Sequence, residues 1–425
     1  MRLEPARIAA HVAALAVEGG FADVEALFAA PLRAVVSAET LRTAWMAEAA
    51  KAGPHLAVGE PVTESVDGRI RVSVPVTGAQ GGFTLVLSVD DAGQVQGLRL
   101  APPLGQSWQA PGYAKPGRFA EREVALGDVM GSLTLPKSPA GPAVILLAGA
   151  GPFDRDGTAG PNKPLKDLAW GLASRGVAVV RFDKPVFGPD PYTMMDEYAP
   201  PTRAALDLLR RTSGVDAGRI HVLGHSGGGK VAPRIAAEEP GIAGLVMLAA
   251  DAAPLPAAAV RVARRLVSLN PGAAGTADLL ARQAAAVQDP ELSAATPATE
   301  LLFGWPAVYW LDARAYDQVA TAAAVERPIL VLQGGRDYQV TVADDLSRWR
   351  AGLAGRADVM IRVLDADDHL FFSGSRPSTP EDYARPQHVD PEVVETIVRW
   401  LAPAPSGLVA RLRRCRPAEP GAAEK

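Results

Sequence analysis

One cysteine in 425 residues is the first scarcity that matters. Cys415 has no second cysteine to pair with, so no internal disulfide is expected and no oxidising compartment is implied. A zinc cluster of cysteines is excluded on the same ground. Histidine is nearly as scarce: His11, His55, His221, His225, His369 and His388 complete the set. Long apolar runs are also missing. The best stretch, Gly244 to Val260, is broken by Asp251 and nearby prolines, and falls short of the roughly 20 residues a membrane-spanning helix needs. Met1 to Gly20 holds a short apolar stretch that Glu4 and His11 interrupt, with no convincing cleavage site after it, so no signal peptide is expected. A basic surplus is absent too. The net charge of −4 argues against broad binding to a phosphate backbone. These absences give the expectation of a soluble, cytoplasmic protein with no nucleic-acid partner and no integral membrane association.

What is present is a globular composition, 48% hydrophobic and 21% charged, too apolar for a disordered chain. The length suggests two or three domains. In the first 100 residues, Ile8–Val17, Val24–Phe28 and Ala38–Ala50 carry helical spacing. Alternating runs follow at His55–Val58, Arg69–Val76, Phe83–Val89 and Val95–Leu100, with turn signals at Asp67-Gly68 and Asp91-Ala92-Gly93. This pattern predicts an α+β accessory domain over 1–100, and the Pro- and Gly-rich stretch 101–119 reads as a linker.

From Ala120 the pattern changes. Glu121–Leu126 and Val129–Leu135 flank Gly127-Asp128 as a hairpin. Apolar runs then recur at Ala143–Ala148, Val177–Phe182, Ile220–Leu223, Gly244–Leu248, Ile329–Gln333 and Met360–Leu364. Continuous Val, Ile and Leu suit parallel strands covered on both faces. Helical patterns at Leu165–Ser174, Arg203–Arg211, Lys230–Glu238 and Pro391–Leu401 complete a doubly wound α/β sheet with an antiparallel start, over 120–402. Residues 251–328 are far longer than an ordinary crossover. They read as a helical cap. Residues 403–425 read as a flexible tail, whose Arg411, Arg413, Arg414 and Arg416 are expected to be solvated.

The strongest local signal is Gly224-His225-Ser226-Gly227-Gly228, between the strand Arg219–Leu223 and a helix. A G-x-S-x-G at a strand-to-helix junction is a nucleophile elbow. Side chains at the outer glycines would collide with neighbouring backbone, and the amide after the serine faces a developing oxyanion. A serine hydroxyl needs a base. Only His369 and His388 lie far enough downstream, and His369 follows the last core strand directly. The acid is expected after the preceding strand, at Asp337, with Asp365, Asp367 and Asp368 as rivals too close to His369 in the chain. A second oxyanion donor belongs in Ala148–Gly157, at Ala150 or its neighbour Gly151. Asp154, Arg155 and Asp156 are expected to brace that loop by ion pairs, Asp183 and Lys184 to make structural hydrogen bonds, and His225 to pack beside the elbow. Trp305, Tyr309 and Trp310 are expected to line a substrate pocket, with simple cap packing as the equal alternative.

The segments Leu146–Gly157 and Arg181-Phe182-Asp183-Lys184, the elbow, and Leu332–Val340 together resemble the bacterial α/β-hydrolase-fold serine esterases. The resemblance runs from about Phe21 to Leu401. The closest subgroup carries a small N-terminal domain of unknown function, similar to the nuclear-transport-factor-2-like cone fold. It implies a Ser226–Asp337–His369 triad, an oxyanion hole at Gly227 with Ala150 or Gly151, an acyl-enzyme intermediate and no metal or cofactor. Relatives usually place a larger apolar residue where Gly227 stands and an arginine where Pro185 follows Lys184; Lys230 also lies one turn into the elbow helix. The expected substrate is a small ester. A thioesterase, peptidase, acyltransferase or cyclase using the same triad, and a non-catalytic binding module, stand as alternatives. The N-terminal domain is left as a cover for the site, the contact of a homodimer, or neither.

Overall fold

Alternating valines explain the first sheet. The computed structural model describes residues 4–402, except 34–35, 67–68, 80, 91, 102, 104–107, 139–140 and 188–190. Helices α1 (Pro5–Val17), α2 (Phe21–Ala26), α3 (Ala30–Arg33) and α4 (Ala38–Ala52) precede strands β1 (Ala57–Val58), β2 (Val62–Val66), β3 (Arg69–Gly78), β4 (Gly81–Val89) and β5 (Val95–Ala101). The strands pair antiparallel, and β2 pairs only with β3. Val72, Val74 and Val76 point to one face of β3, as a period of two requires, and bury on the side of α1 and α4. Trp45 of α4 fills the centre, edge-on to Phe83 at 4.9 Å. Strand β2 is not among the runs expected from sequence, because Val62-Thr63-Glu64-Ser65-Val66 is apolar only at its ends. The Asp67-Gly68 turn, Asp91, Cys415 and the tail arginines lie outside the described residues.

The second sheet contains β6 (Phe119–Leu126), β7 (Val129–Pro136), β8 (Gly141–Leu147), β9 (Ala178–Phe182), β10 (Val215–His225), β11 (Leu245–Leu248), β12 (Ile329–Gly334) and β13 (Val359–Leu364). Its order is β13-β12-β11-β10-β8-β9-β7-β6, parallel except where β7 meets β9 and β6. This is the α/β-hydrolase architecture. Helices α5 (Pro164–Ala173), α6 (Met194–Arg210) and α7 (Gly227–Glu238) come first. The insertion carries α8 (Leu255–Leu269), α9 (Ala274–Ala286), α10 (Ala307–Ala315) and α11 (Gln318–Ala324); α12 (Ser347–Gly352) and α13 (Pro391–Leu401) follow β12 and β13.

Alternation along β8 shows why both faces are covered. Ala143, Ile145 and Leu147 join the core with Leu206 of α6 and Ile235 of α7. Val144 and Leu146 face the other way, toward Leu168 of α5 and Val393 of α13. Helix α6 starts nine residues before the expected Arg203, because Pro200 and Pro201 lie inside it instead of ending it. A capping box at Thr193 and Asp196 fixes that earlier start.

Candidate active site

The site gathers at the C-terminal ends of the parallel strands, where open α/β sheets bind ligands. Strand β10 runs into Ser226 and α7 begins at the next residue. Ser226 adopts φ 54° and ψ −122°, a costly conformation for a non-glycine residue. The outer glycines make the turn sterically feasible. A Cβ on Gly224 would collide with Gly228 O, and one on Gly228 would lie 2.5 Å from both Leu147 O and Ala148 O. The backbone of Gly227 also comes close to the loop after β8: a Cβ there would sit 2.8 Å from the Ala150 nitrogen. Gly151 follows with φ 103°.

Asp337 follows β12 and His369 follows β13. His369 Nδ1 donates to Asp337 Oδ2 at 2.8 Å. The acceptor is a carboxylate, so Nδ1 carries the proton and Nε2 stays available as a base. Gln333 Nε2 also donates to Asp337 Oδ2, while Gln339 N and Val340 N donate to Oδ1. The carboxyl group is therefore fixed from three sides. Burial alone would lower the His369 pKa, but Asp337 outweighs it and holds the imidazole above its ordinary value.

The rivals are engaged elsewhere. His388 Nδ1 meets Asp167 Oδ2 at 3.1 Å, in a cluster where Asp167 also accepts from Trp108 Nε1 and Val389 N. Asp368 Oδ1 accepts from Leu370 N and Phe372 N and shapes the His369 loop. Asp367 accepts from Ser373, and burial pushes its carboxyl up to about 7.

His225 packs beside the elbow, as its position suggests, and has a further contact that sequence reading missed. Its Nε2–H donates to the carbonyl oxygen of His369 at 2.8 Å. Burial lowers its pKa to about 4, keeping the ring neutral.

The loop after β8 is braced on both sides. Arg155 pairs with Asp183 at 2.8 Å and Glu123 at 3.0 Å; Asp156 pairs with the buried Arg181 at 3.0 Å and with Lys163 at 2.7 Å. Beneath it, Lys184 Nζ donates to Glu197 Oε2 and Tyr198 Oη, both at 2.9 Å. Tyr198 Oη lies 3.0 Å from both Ala148 O and Gly149 O. Burial pushes Lys184 down and Glu197 up, each opposed by its partner. Glu197 and Tyr198 were missed from sequence because they lie in the part of α6 that the two prolines obscured.

Ser226, His369, Gly149, Ala150 and Gly151 line one cavity of about 640 Å³. Its outer wall is apolar and comes from the insertion: Leu255, Val262 and Leu266 of α8, with Phe303 and Trp305. Of the three aromatics expected in the pocket, Trp305 lines this cavity. Tyr309 packs behind it at 4.6 Å and borders a smaller pocket. Trp310 is buried in the core against Trp305 at 5.5 Å and lines neither space. Among the described residues, no cluster of three His, Cys, Asp or Glu side chains could hold a metal, and no helix is long and apolar enough to cross a membrane.

Residues 144–385 match the Alpha/beta hydrolase family. Esterase EstD of Thermotoga maritima is 35% identical over 327 residues, covering 76% of this chain and 77% of that relative. Among solved structures, Est1E from Butyrivibrio proteoclasticus has a TM-score of 0.44 and 17% identity, over 66% of this chain and 98% of that one. An esterase of Pyrococcus furiosus has a TM-score of 0.42 and 18% identity, over 70% of this chain and 98% of that one. The family match spans the segment from β8 through the elbow, Asp337 and His369, and the chain belongs to the alpha/beta hydrolase family.

Proposed function

We propose that the protein is a serine hydrolase of carboxylic esters, with Ser226 as nucleophile, His369 as base and Asp337 as the group that orients it. One observation carries the reading. The Asp337-oriented imidazole of His369 shares a cavity wall with the strained Ser226. Family membership and a relative named as an esterase support the coarser assignment of an esterase-like hydrolase.

In the first step Ser226 Oγ attacks the ester carbonyl carbon and His369 Nε2 takes the hydroxyl proton. The oxyanion rests against the amides of Gly227 and Ala150, with Gly151 beside them; each such donor is worth about 3 kcal/mol in the transition state. Collapse breaks the carbon–alkoxide bond, and His369 returns its proton to the leaving alcohol. Water then gives a proton to His369 and attacks the acyl-serine. Collapse releases the acid and restores the serine. Asp337 stays ionised and stabilises the imidazolium. The apolar wall from α8 favours a hydrophobic acyl or alcohol group.

Hydrolysis of p-nitrophenyl butyrate by wild type and Ser226→Ala tests the reading. The variant is expected to lose about 10⁶-fold in kcat. Undiminished turnover by the variant contradicts it.

A further inference from the structure

A second, much smaller pocket opens beside the oxyanion amides. It holds about 10 Å³, the room of one water-sized group. Ala150 and Gly227 wall it on one side, and Lys230, Asp251 and Tyr309 on the others. Ala150, Asp251 and Leu255 line both this pocket and the main cavity. The two spaces thus share a wall at Ala150, one of the two amides proposed to hold the carbonyl oxygen.

Its charges are unlike others buried nearby. Lys184 donates to Glu197 and Tyr198. Asp345 accepts from Ala252 N, Ala253 N, Thr341 N and Arg261. Lys230 and Asp251 are each only 6% exposed, yet neither side chain has a hydrogen-bond partner among the described residues. Burial pushes Lys230 down and Asp251 up to about 6, with each partly opposing the shift of the other. A cation and a carboxylate thus line a space that one small group can fill.

The chemistry of that group follows from the pair. A carboxylate would meet Asp251 and an ammonium would meet Lys230. A methyl group would leave both charges without a partner, the costly case. A hydroxyl accepts from Lys230 and donates to Asp251. Because Ala150 and Gly227 both wall this pocket and hold the carbonyl oxygen, the entering group belongs on the carbon next to the carbonyl. We propose that Lys230 and Asp251 form a hydroxyl-binding subsite that selects esters of 2-hydroxy acids; this rests on the assignment of Ser226 and its oxyanion hole. Sites built to hydrogen-bond a substrate hydroxyl strongly reject the analogue that lacks it.

The test compares kcat/KM for ethyl 2-hydroxybutanoate, using the better enantiomer, with that for ethyl butanoate. Each value is divided by the rate of the same ester's hydroxide hydrolysis, which removes intrinsic reactivity. Wild type is expected to favour the hydroxy ester about 10²-fold or more. Lys230→Met is expected to bring the ratio close to one, and Asp251→Asn, which keeps an acceptor, to lower it less. Fluorophosphonate labelling of Ser226 verifies that each variant is folded, and the wild-type ratio stands without any variant. Equal wild-type rates mean that the pocket holds a resident water only and overturn the subsite, as does a preference that survives in folded Lys230→Met. Failure of wild type to react with the probe or either ester overturns the esterase assignment instead, and the subsite with it.

Discussion

The side chain of His225 and the backbone of His369, 144 residues apart, are joined by a 2.8 Å hydrogen bond. The residue before the elbow serine thus holds the loop that carries His369. His225→Phe keeps a ring but removes the donor. Stability is expected to fall by about 1–3 kcal/mol, because a buried carbonyl loses its partner. A drop in kcat with little change in KM identifies the positioning effect, read by steady-state kinetics beside a thermal melt. An unchanged melt and an unchanged kcat contradict it.

The Asp337–His369 contact fixes the sign of a pH effect. The proposed base, His369, can act only when neutral, and its pKa is held above the ordinary 6.5. The acidic limb of the kcat/KM profile is therefore expected above pH 6.5, with activity lost as pH falls through it. Asp337→Asn favours the wrong tautomer and is expected to cost about 10⁴-fold in kcat at neutral pH. A limb below 6.5 in the wild-type profile rules out the Asp337-raised imidazole as the working base.

Gly227 and Ala150 meet closely enough that even one methyl group matters. The Cβ of Gly227→Ala would lie 2.8 Å from the Ala150 nitrogen and 2.9 Å from its Cβ. The loop after β8 must then move away, and loss of one donor is expected to lower kcat about 10²–10³-fold. Ester kinetics on a variant with a native-like melt provide the check. Wild-type kcat would show that these amides do not hold the oxyanion.

Lys184 and Glu197 predict a stability contrast. Their side chains are 1% and 7% exposed. Lys184→Met leaves a buried carboxylate unpaired and is expected to cost about 3–5 kcal/mol. Adding Glu197→Gln should recover much of that loss. Arg203→Ala, in an exposed pair with Glu238, is expected to cost at most about 1 kcal/mol. Urea unfolding of the four proteins separates these outcomes, and equal losses at Lys184 and Arg203 contradict the contrast.

The centre of the sheet was readable in the chain because β8, β9, β11 and β12 are almost wholly buried. Runs such as Val144-Ile145-Leu146-Leu147 have one physical explanation, coverage on both faces. Chain order and strand ends singled out Asp337 and His369 as a pair, and the structure places their side chains 2.8 Å apart. Glu197 and Tyr198 were hidden by prolines that end most helices but are tolerated in α6. Strand β2 had no apolar alternation to reveal it. Trp310 could not be separated from Trp305 by sequence, since burial against the core and lining a cavity use the same residue type. The His225 contact and the Lys230–Asp251 pocket depend on distances across the fold, which no local pattern encodes.

The central claim is that Ser226 is the nucleophile. Wild-type protein treated with a fluorophosphonate probe, digested and mapped by mass spectrometry tests it most directly. The predicted result is one phosphonyl adduct on Ser226, absent in Ser226→Ala and formed much more slowly in His369→Ala. Ester hydrolysis by a protein that carries its adduct on another residue, or carries none, would contradict the account.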